Sequence, residues 1–197
     1  GSEILVRWFD SKIDAYRSPA EFLPLFEENG FINKLDRFVF YRACQNIAEC
    51  IEKHIIVFPV SVNISRVTAI QPDFLAYYTR IKKKFNIKDN FITLEFTESF
   101  AYENYEYLAG IVNELHAAGF MCSLDDFGTG YSSFSVLKEL EMDEIKLDKV
   151  FLDRSSHPDR DEMLLQSVIG MVKKIGTKIT QEGVENKEQF DKLIAYG

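Results

Sequence analysis

The sequence predicts an α/β fold built on a parallel sheet, and three observations predict it. Strand-sized apolar runs alternate with amphipathic helical stretches along the chain. Polar and charged residues gather at or near the C-terminal ends of those runs. No low-complexity tract, solenoid-period repeat or long linker interrupts the alternation, so the 197 residues read as one domain with a substantial core.

Strands are expected at residues 3–9, 55–65, 91–97, 121–126, 144–151 and 179–184, each mixing β-branched and aromatic side chains over a strand-sized length. Helices fill the intervals. Ser18, Pro19, Ala20 and Glu21 have the form of a capping box with proline at the first helical position, and the helix should stop near Gly30. Residues 35–52 carry Leu35, Phe38, Val39, Ile47, Cys50 and Ile51 at helical spacing. Residues 72–85 form a helix whose basic end, Lys82, Lys83 and Lys84, suits the helix dipole. Residues 104–118 end at Gly119, residues 161–175 end at Gly176, and residues 187–196 make a last short helix. Gly110 and Gly170 lie mid-helix, where they are expected to mark close packing. Residues 155–159 are the clearest loop and too short to divide domains.

Composition narrows the function. A net charge of −8 argues against a nucleic-acid polymer as partner, although a small phosphate ligand held through cations remains compatible with it. The three cysteines, Cys44, Cys50 and Cys122, are odd in number and form no CxxC, which suggests a reducing, cytoplasmic setting, and Cys44 and Cys50 fall in an apolar helical pattern that suggests packing. No apolar run approaches the roughly 20 residues of a membrane span, no signal peptide is visible, and Gly1-Ser2 reads as a cloning remnant. His54, His116 and His157 are scattered, so a histidine-based metal site or triad is not expected.

Position is the informative feature. Asn63, Glu95, Asp125 with Asp126, Lys146 and Glu182 fall late in five expected strands. In a parallel β/α barrel those ends meet on one face, where active sites sit. Carboxylates gathered there would repel one another unless divalent cations neutralise them, and oxygen ligands suit Mg²⁺ or Mn²⁺. A lone acid after a strand is commonly a helix cap or a solvated loop residue; five such positions in step are harder to explain that way. The adjacent pair Asp125-Asp126 is the sharpest signal, because neighbouring carboxylates can bridge two cations and so form a clamp for phosphodiester cleavage.

Residues 125–133 read DDFGTGYSS, which resembles the signature loop of EAL-domain cyclic di-GMP phosphodiesterases. Residues 62–65 (VNIS), 94–99 (LEFTES), 145–148 (IKLD) and 182–185 (EGVE) are similar to further motifs of that family, in the same order and spacing. Residues 18–32 are similar to its SPxEFIPLAEExGLI segment. The naming motif appears as Glu3-Ile4-Leu5-Val6-Arg7-Trp8, with isoleucine in place of alanine. On a strand Glu3, Leu5 and Arg7 share one face and Ile4 faces away, so the change should affect packing more than chemistry. The triplet Asp126-Phe127-Gly128 also spells the kinase DFG, but no glycine-rich loop, VAIK lysine or HRD loop accompanies it.

The resemblance implies a TIM-like (β/α) barrel of the EAL type and two divalent cations, Mg or Mn. Glu3, Asn63, Glu95 and Asp125 would bind one metal, with Asp125 bridging to a second held by Asp126. Lys146 would position the attacking water or stabilise phosphate charge. Glu182 would be general base or a water-mediated ligand. Glu98 would brace the DDFGTGYSS loop. Arg7, with Leu5 beside it, would contact the ligand, the alternative for Arg7 being a surface salt bridge. The substrate implied is cyclic di-GMP and the product linear pGpG.

The family's first strand (YQPI) and last strand (QGY) have no counterpart here, so residues 3–197 hold about six of eight β/α units, which predicts weak or absent turnover. Partner chains could close such a barrel, and a homodimer and a neighbouring sensor or diguanylate cyclase domain are expected partners. The rival readings are a non-catalytic cyclic di-GMP receptor and a structural or protein-interaction domain.

Overall fold

A computed structural model describes residues 1–129, 134–153 and 155–197, with the side chains of Phe134 and Ser135 left aside. Gly130, Tyr131, Ser132 and Ser133 of the DDFGTGYSS loop therefore lie outside the described residues. The chain divides into two compact units, residues 1–96 with 113–121, and residues 97–112 with 122–197.

The elements run β1 (Ser2–Ile4), β2 (Trp8–Asp10), β3 (Ala15–Arg17), α1 (Pro19–Glu28), α2 (Ile32–Glu52), β4 (Val60–Asn63), α3 (Arg66–Ala69), α4 (Phe74–Lys84) and β5 (Ile92–Thr97). They continue through α5 (Glu98–Glu103), α6 (Tyr105–Ala117), β6 (Met121–Phe127), α7 (Phe134–Glu139), β7 (Glu144–Leu147), a 3-10 turn (Lys149–Leu152), α8 (Pro158–Lys174), β8 (Lys178–Gln181) and α9 (Lys187–Tyr196).

In the first unit β4 pairs in parallel with β1 on one side and β5 on the other. Against them α2 buries Phe40, Ala43, Cys44 and Ile47, the i, i+3, i+4, i+7 stripe of an amphipathic helix. Tyr78 of α4 packs on Phe40 and Phe74, with ring centroids 4.3 Å and 4.7 Å apart, so part of the phenylalanine-rich composition forms one aromatic core. Burial pushes the Cys44 thiol up to about 12, in keeping with an inert packing role.

In the second unit β7 pairs in parallel with β6 and with β8. Helix α8 contributes Leu165, Ile169 and Val172 on one buried stripe, and Leu124, Ile145 and Leu147 line the strands' buried side.

Several expected boundaries move, each for a physical reason. The strand expected at residues 3–9 is two strands. The chain leaves β1 after Ile4, and β2 turns back in an antiparallel hairpin with β3. Trp8 packs on Phe22 and Phe26, and Arg17 donates to Asp10 at 2.8 and 2.9 Å across the hairpin. The strand expected from residue 55 begins at Val60, because Pro59 cannot donate to a ladder, and Ile55, Ile56 and Phe58 are exposed. The strand expected to run to residue 151 stops at Leu147, where the Asp148 carboxylate accepts from the Val150 N–H at 2.8 Å and starts the 3-10 turn.

The capping box at Ser18 does not form. The Ser18 side chain makes no cap, the Glu21 N–H donates instead to the Ser18 carbonyl, and Arg17 holds the Glu21 carboxylate. Lys82 is no solvated end charge. It is buried, pairs with Asp89, donates to the Ala118 carbonyl at 2.9 Å and lies over the Phe120 ring. Gly110 and Gly170 mark no close packing, since a Cβ at either would meet nothing within 4 Å among the described residues.

Candidate active site

In the first unit the ladder register does the positioning. Asn63 closes β4 opposite Glu95 of β5, and the Ile64 N–H donates to the Glu95 carbonyl at 3.0 Å. Glu3 on β1 stands opposite Ser61, and Asn63 Nδ2 donates to Glu3 Oε1 at 2.7 Å. Glu95 is 2% exposed, whereas Glu3 and Asn63 are open to solvent. These three residues come from three neighbouring strands, one from each.

Exposure along residues 3–7 alternates, with Glu3, Leu5 and Arg7 open and Ile4 and Val6 half-buried, so the alternation outlasts the strand itself. Arg7 donates to the Val6 carbonyl at 2.9 Å. Neither Leu5 nor Arg7 lies on a paired strand, because the hairpin takes the chain away after Ile4.

A residue missed in the sequence supports this unit. Asp36 is a buried carboxylate on α2 that accepts from the Ser65 N–H (3.0 Å), the Ser65 hydroxyl (2.7 Å) and the Thr68 hydroxyl (2.6 Å). It anchors the first turn of α3, two residues past Asn63. Burial raises its pKa, and the hydrogen bonds from Thr68 and Ser65 oppose that rise. The signal was an acid one turn before Phe40 on an otherwise apolar helix face.

The second unit gathers charge differently. The β6–β7 register pairs Leu124 with Ile145 but Phe127 with Leu147, so Asp125 and Asp126 together oppose Lys146. This is a β-bulge, and Asp126 takes φ +56° to make it. In a regular strand adjacent side chains point to opposite faces. Here carboxylate oxygens of Asp125, Asp126 and Glu182 all lie within 4.8 Å of one another. Glu182 is the first residue past β8, tied by its N–H to the Leu147 carbonyl at 2.9 Å.

Lys146 sits in the middle of this group, its ammonium 3.1 Å from Asp125 Oδ1 and 2.8 Å from Glu182 Oε1. The Lys146 side chain is 8% exposed and that of Asp125 12%, so little solvent screens the pair. Burial, then Asp125, Asp148 and Glu182, hold the Asp126 carboxyl above the usual range, with Lys146 opposing them. Asp148 thus joins the acidic group as a residue to which sequence reasoning assigned no role. Among the described residues, three clustered carboxyl groups meet one ammonium, an excess of acidic groups that fits an oxygen-liganded divalent cation.

The loop after Asp126 is braced from two sides. Glu98, fully buried at the start of α5, accepts from the Gly128 N–H at 3.0 Å, while its other oxygen has no partner among the described residues. Gly128 has φ +108°, and a Cβ there would lie 2.2 Å from Cε2 of Phe151. Only glycine lets the backbone approach that ring.

Comparison with known proteins places this arrangement in context. The family model described as EAL domain matches residues 1–197. The "Probable cyclic di-GMP phosphodiesterase PdeG" of Escherichia coli (strain K12) is 35% identical over 193 residues, covering 98% of this chain and 38% of the relative. The "Cyclic di-GMP phosphodiesterase PA2567" of Pseudomonas aeruginosa is 30% identical over 197 residues, 100% of this chain and 33% of the relative. The chain thus spans only about a third of the length of these relatives. Among solved structures, the PaMucR phosphodiesterase in complex with c-di-GMP matches with a TM-score of 0.90 at 29% identity, covering 99% of this chain and 78% of that one. The expected fold class is the fold found: a mixed α/β barrel type, six of whose parallel strands lie among the described residues. No described helix is long and apolar enough to cross a membrane.

Proposed function

The chain belongs to the EAL domain family, and on that premise we propose that it is a phosphodiesterase module that binds cyclic di-GMP and hydrolyses one phosphodiester bond to give linear pGpG. The observation that carries this reading is the bulged Asp125-Asp126 pair clustered with Glu182 around Lys146. Such a group has little use as a salt bridge alone, because its charges do not balance.

On the family resemblance Glu3, Asn63, Glu95 and Asp125 would hold one divalent cation, and Asp126 would hold a second. Mg²⁺ or Mn²⁺ bound to these oxygens would lower the pKa of a bound water and offset phosphate charge. The chain's own residues do the rest. Glu182, oriented by the Lys146 ammonium at 2.8 Å, takes a proton from the attacking water. The water oxygen bonds to phosphorus, the P–O3′ bond breaks, and the leaving oxygen takes a proton from solvent. Lys146 presents positive charge to the phosphoryl oxygens as negative charge builds there. Glu98 and Gly128 hold the loop that follows Asp126. Arg7 and Leu5 stand on the open side of residues 3–7, suited to touching ligand rather than metal.

Calorimetry with cyclic di-GMP, with and without Mn²⁺ or Mg²⁺, followed by chromatography of the products, tests the proposal. Metal-dependent binding with conversion to pGpG, even slow, is the expected result. Binding without cleavage would identify a receptor, and neither binding nor cleavage would leave a structural or protein-interaction role.

A further inference from the structure

Gln181, the last residue of β8, makes an unusual set of contacts for a strand side chain. Its Nε2 donates to three backbone carbonyls: Leu147 at 3.2 Å, Asp148 at 3.0 Å and Glu182 at 3.0 Å. Two amide hydrogens are shared among three acceptors. Its Oε1 is buried without a partner among the described residues. Turning the amide over would set Oε1 against three carbonyl oxygens, so repulsion fixes its orientation.

The place of this amide matters. The ladder between β7 and β8 ends at the pair Leu147 and Gln181. Beyond it β7 passes into the turn capped by Asp148, and β8 passes into Glu182 and Gly183. The two diverging ends carry Lys146, Asp148 and Glu182. Past the last backbone bond, from the Glu182 N–H to the Leu147 carbonyl at 2.9 Å, the Gln181 amide bridges those ends. Gly183, at φ +68°, lies close against the same turn, since a Cβ there would lie 2.4 Å from Lys149 Cβ.

We propose that Gln181 is a positioning residue for the reaction. By tying the carbonyls of Leu147, Asp148 and Glu182 together it sets the Glu182 carboxylate against the Lys146 ammonium. This rests on the phosphodiesterase reading above. Gln181 touches no reacting atom and acts only through the two strand ends, so it governs the chemical step and leaves substrate affinity alone.

Gln181→Met keeps the length of the side chain and removes its donors, and Gln181→Glu keeps the shape and removes the N–H groups. In steady-state hydrolysis of cyclic di-GMP, each variant is expected to lose about tenfold to a hundredfold in kcat, the scale of a small misplacement of a catalytic group. KM should stay within about twofold and the thermal midpoint should hold. Wild-type kcat in both variants overturns the proposal. So does a fall in kcat that comes with an equal rise in KM and a lowered midpoint, which would be general damage. A second readout does not depend on turnover: hydrogen exchange at the Glu182 and Asp148 amides should quicken at least about tenfold in Gln181→Met, with Ile145 unchanged. If the wild-type chain shows no hydrolysis, the phosphodiesterase reading fails while the exchange result still decides whether Gln181 holds the strand ends. Unchanged exchange refutes it.

Discussion

In the first unit acidic and amide side chains come one to a strand, on a ladder whose register never slips; in the second, two carboxylates come from adjacent residues on a strand that is bulged. The first arrangement needs little support beyond ordinary pairing and the Asp36 anchor. The second needs a residue at positive φ, a buried lysine between carboxylates, a glycine pressed against Phe151 and a buried glutamate holding that glycine. A regular strand can offer only every second side chain to one face. Crowding negative charge from neighbouring residues therefore costs local regularity, and the surrounding contacts make that cost bearable.

The contrast can be broken most forcefully at Lys146. Lys146→Met leaves three carboxylates within 4.8 Å of one another without their cation. Hydrolysis of cyclic di-GMP should fall about a hundredfold to a thousandfold in kcat, the range for loss of one charge-stabilising donor. If Glu3 holds metal as proposed, Glu3→Ala in the first unit should also cost at least about a hundredfold at fixed metal, but there the loss should be partly recovered by raising Mn²⁺, because the change removes an oxygen donor and not the ammonium of a charge cluster. Equal metal rescue of both variants would erase the distinction between the units.

Gly128→Ala strains a backbone at φ +108° and drives a Cβ into Phe151. It should destabilise the protein by about 2–3 kcal/mol in denaturant unfolding. An unchanged midpoint would show that the loop is not braced in the way described.

Asp36 sharpens the comparison through pH. Its folded-state pKa is raised, chiefly by burial. The folded protein therefore binds this proton more tightly than the unfolded chain does. The contribution is fully present below the unfolded value near 3.8 and is lost as pH rises through the raised folded value. A carboxyl ¹³C titration should place the Asp36 midpoint above 3.8, and the stability of wild type relative to Asp36→Asn should decline across that window. A midpoint at or below 3.8 contradicts the burial argument.

The smallest effects belong to Gly110→Ala and Gly170→Ala. Both glycines sit in helices where a Cβ would meet nothing within 4 Å among the described residues. Each change should stabilise by about 0.5–1 kcal/mol, read as a raised thermal midpoint. Destabilisation would reinstate the close packing that the sequence suggested.

Much of the candidate site is legible in the sequence. Glu95, Asp125, Lys146 and Glu182 stand out because a charged residue late in an apolar run is conspicuous, and the DDFGTGYSS string is specific enough to name a family. Other features left no local trace. The hairpin of β2 and β3 hides inside an apolar run, because Trp8 reads as strand whether it pairs within the sheet or packs on Phe22. The bulge is equally silent, since Asp125-Asp126 has the same letters in either register. Gln181 looks like any polar strand residue until its three carbonyl partners are seen.

By itself the sequence determined the alternation of six sheet strands with the longer helices, the residue types at the strand ends and the sign of the charge. These follow from side-chain periodicity and composition, which are local. Tertiary structure alone decided that Asp125 and Asp126 lie together, that Lys146 reaches both Asp125 and Glu182, and that Lys82 is a buried partner and not a surface charge. Those outcomes depend on register between strands and on burial, and both arise only when distant segments meet.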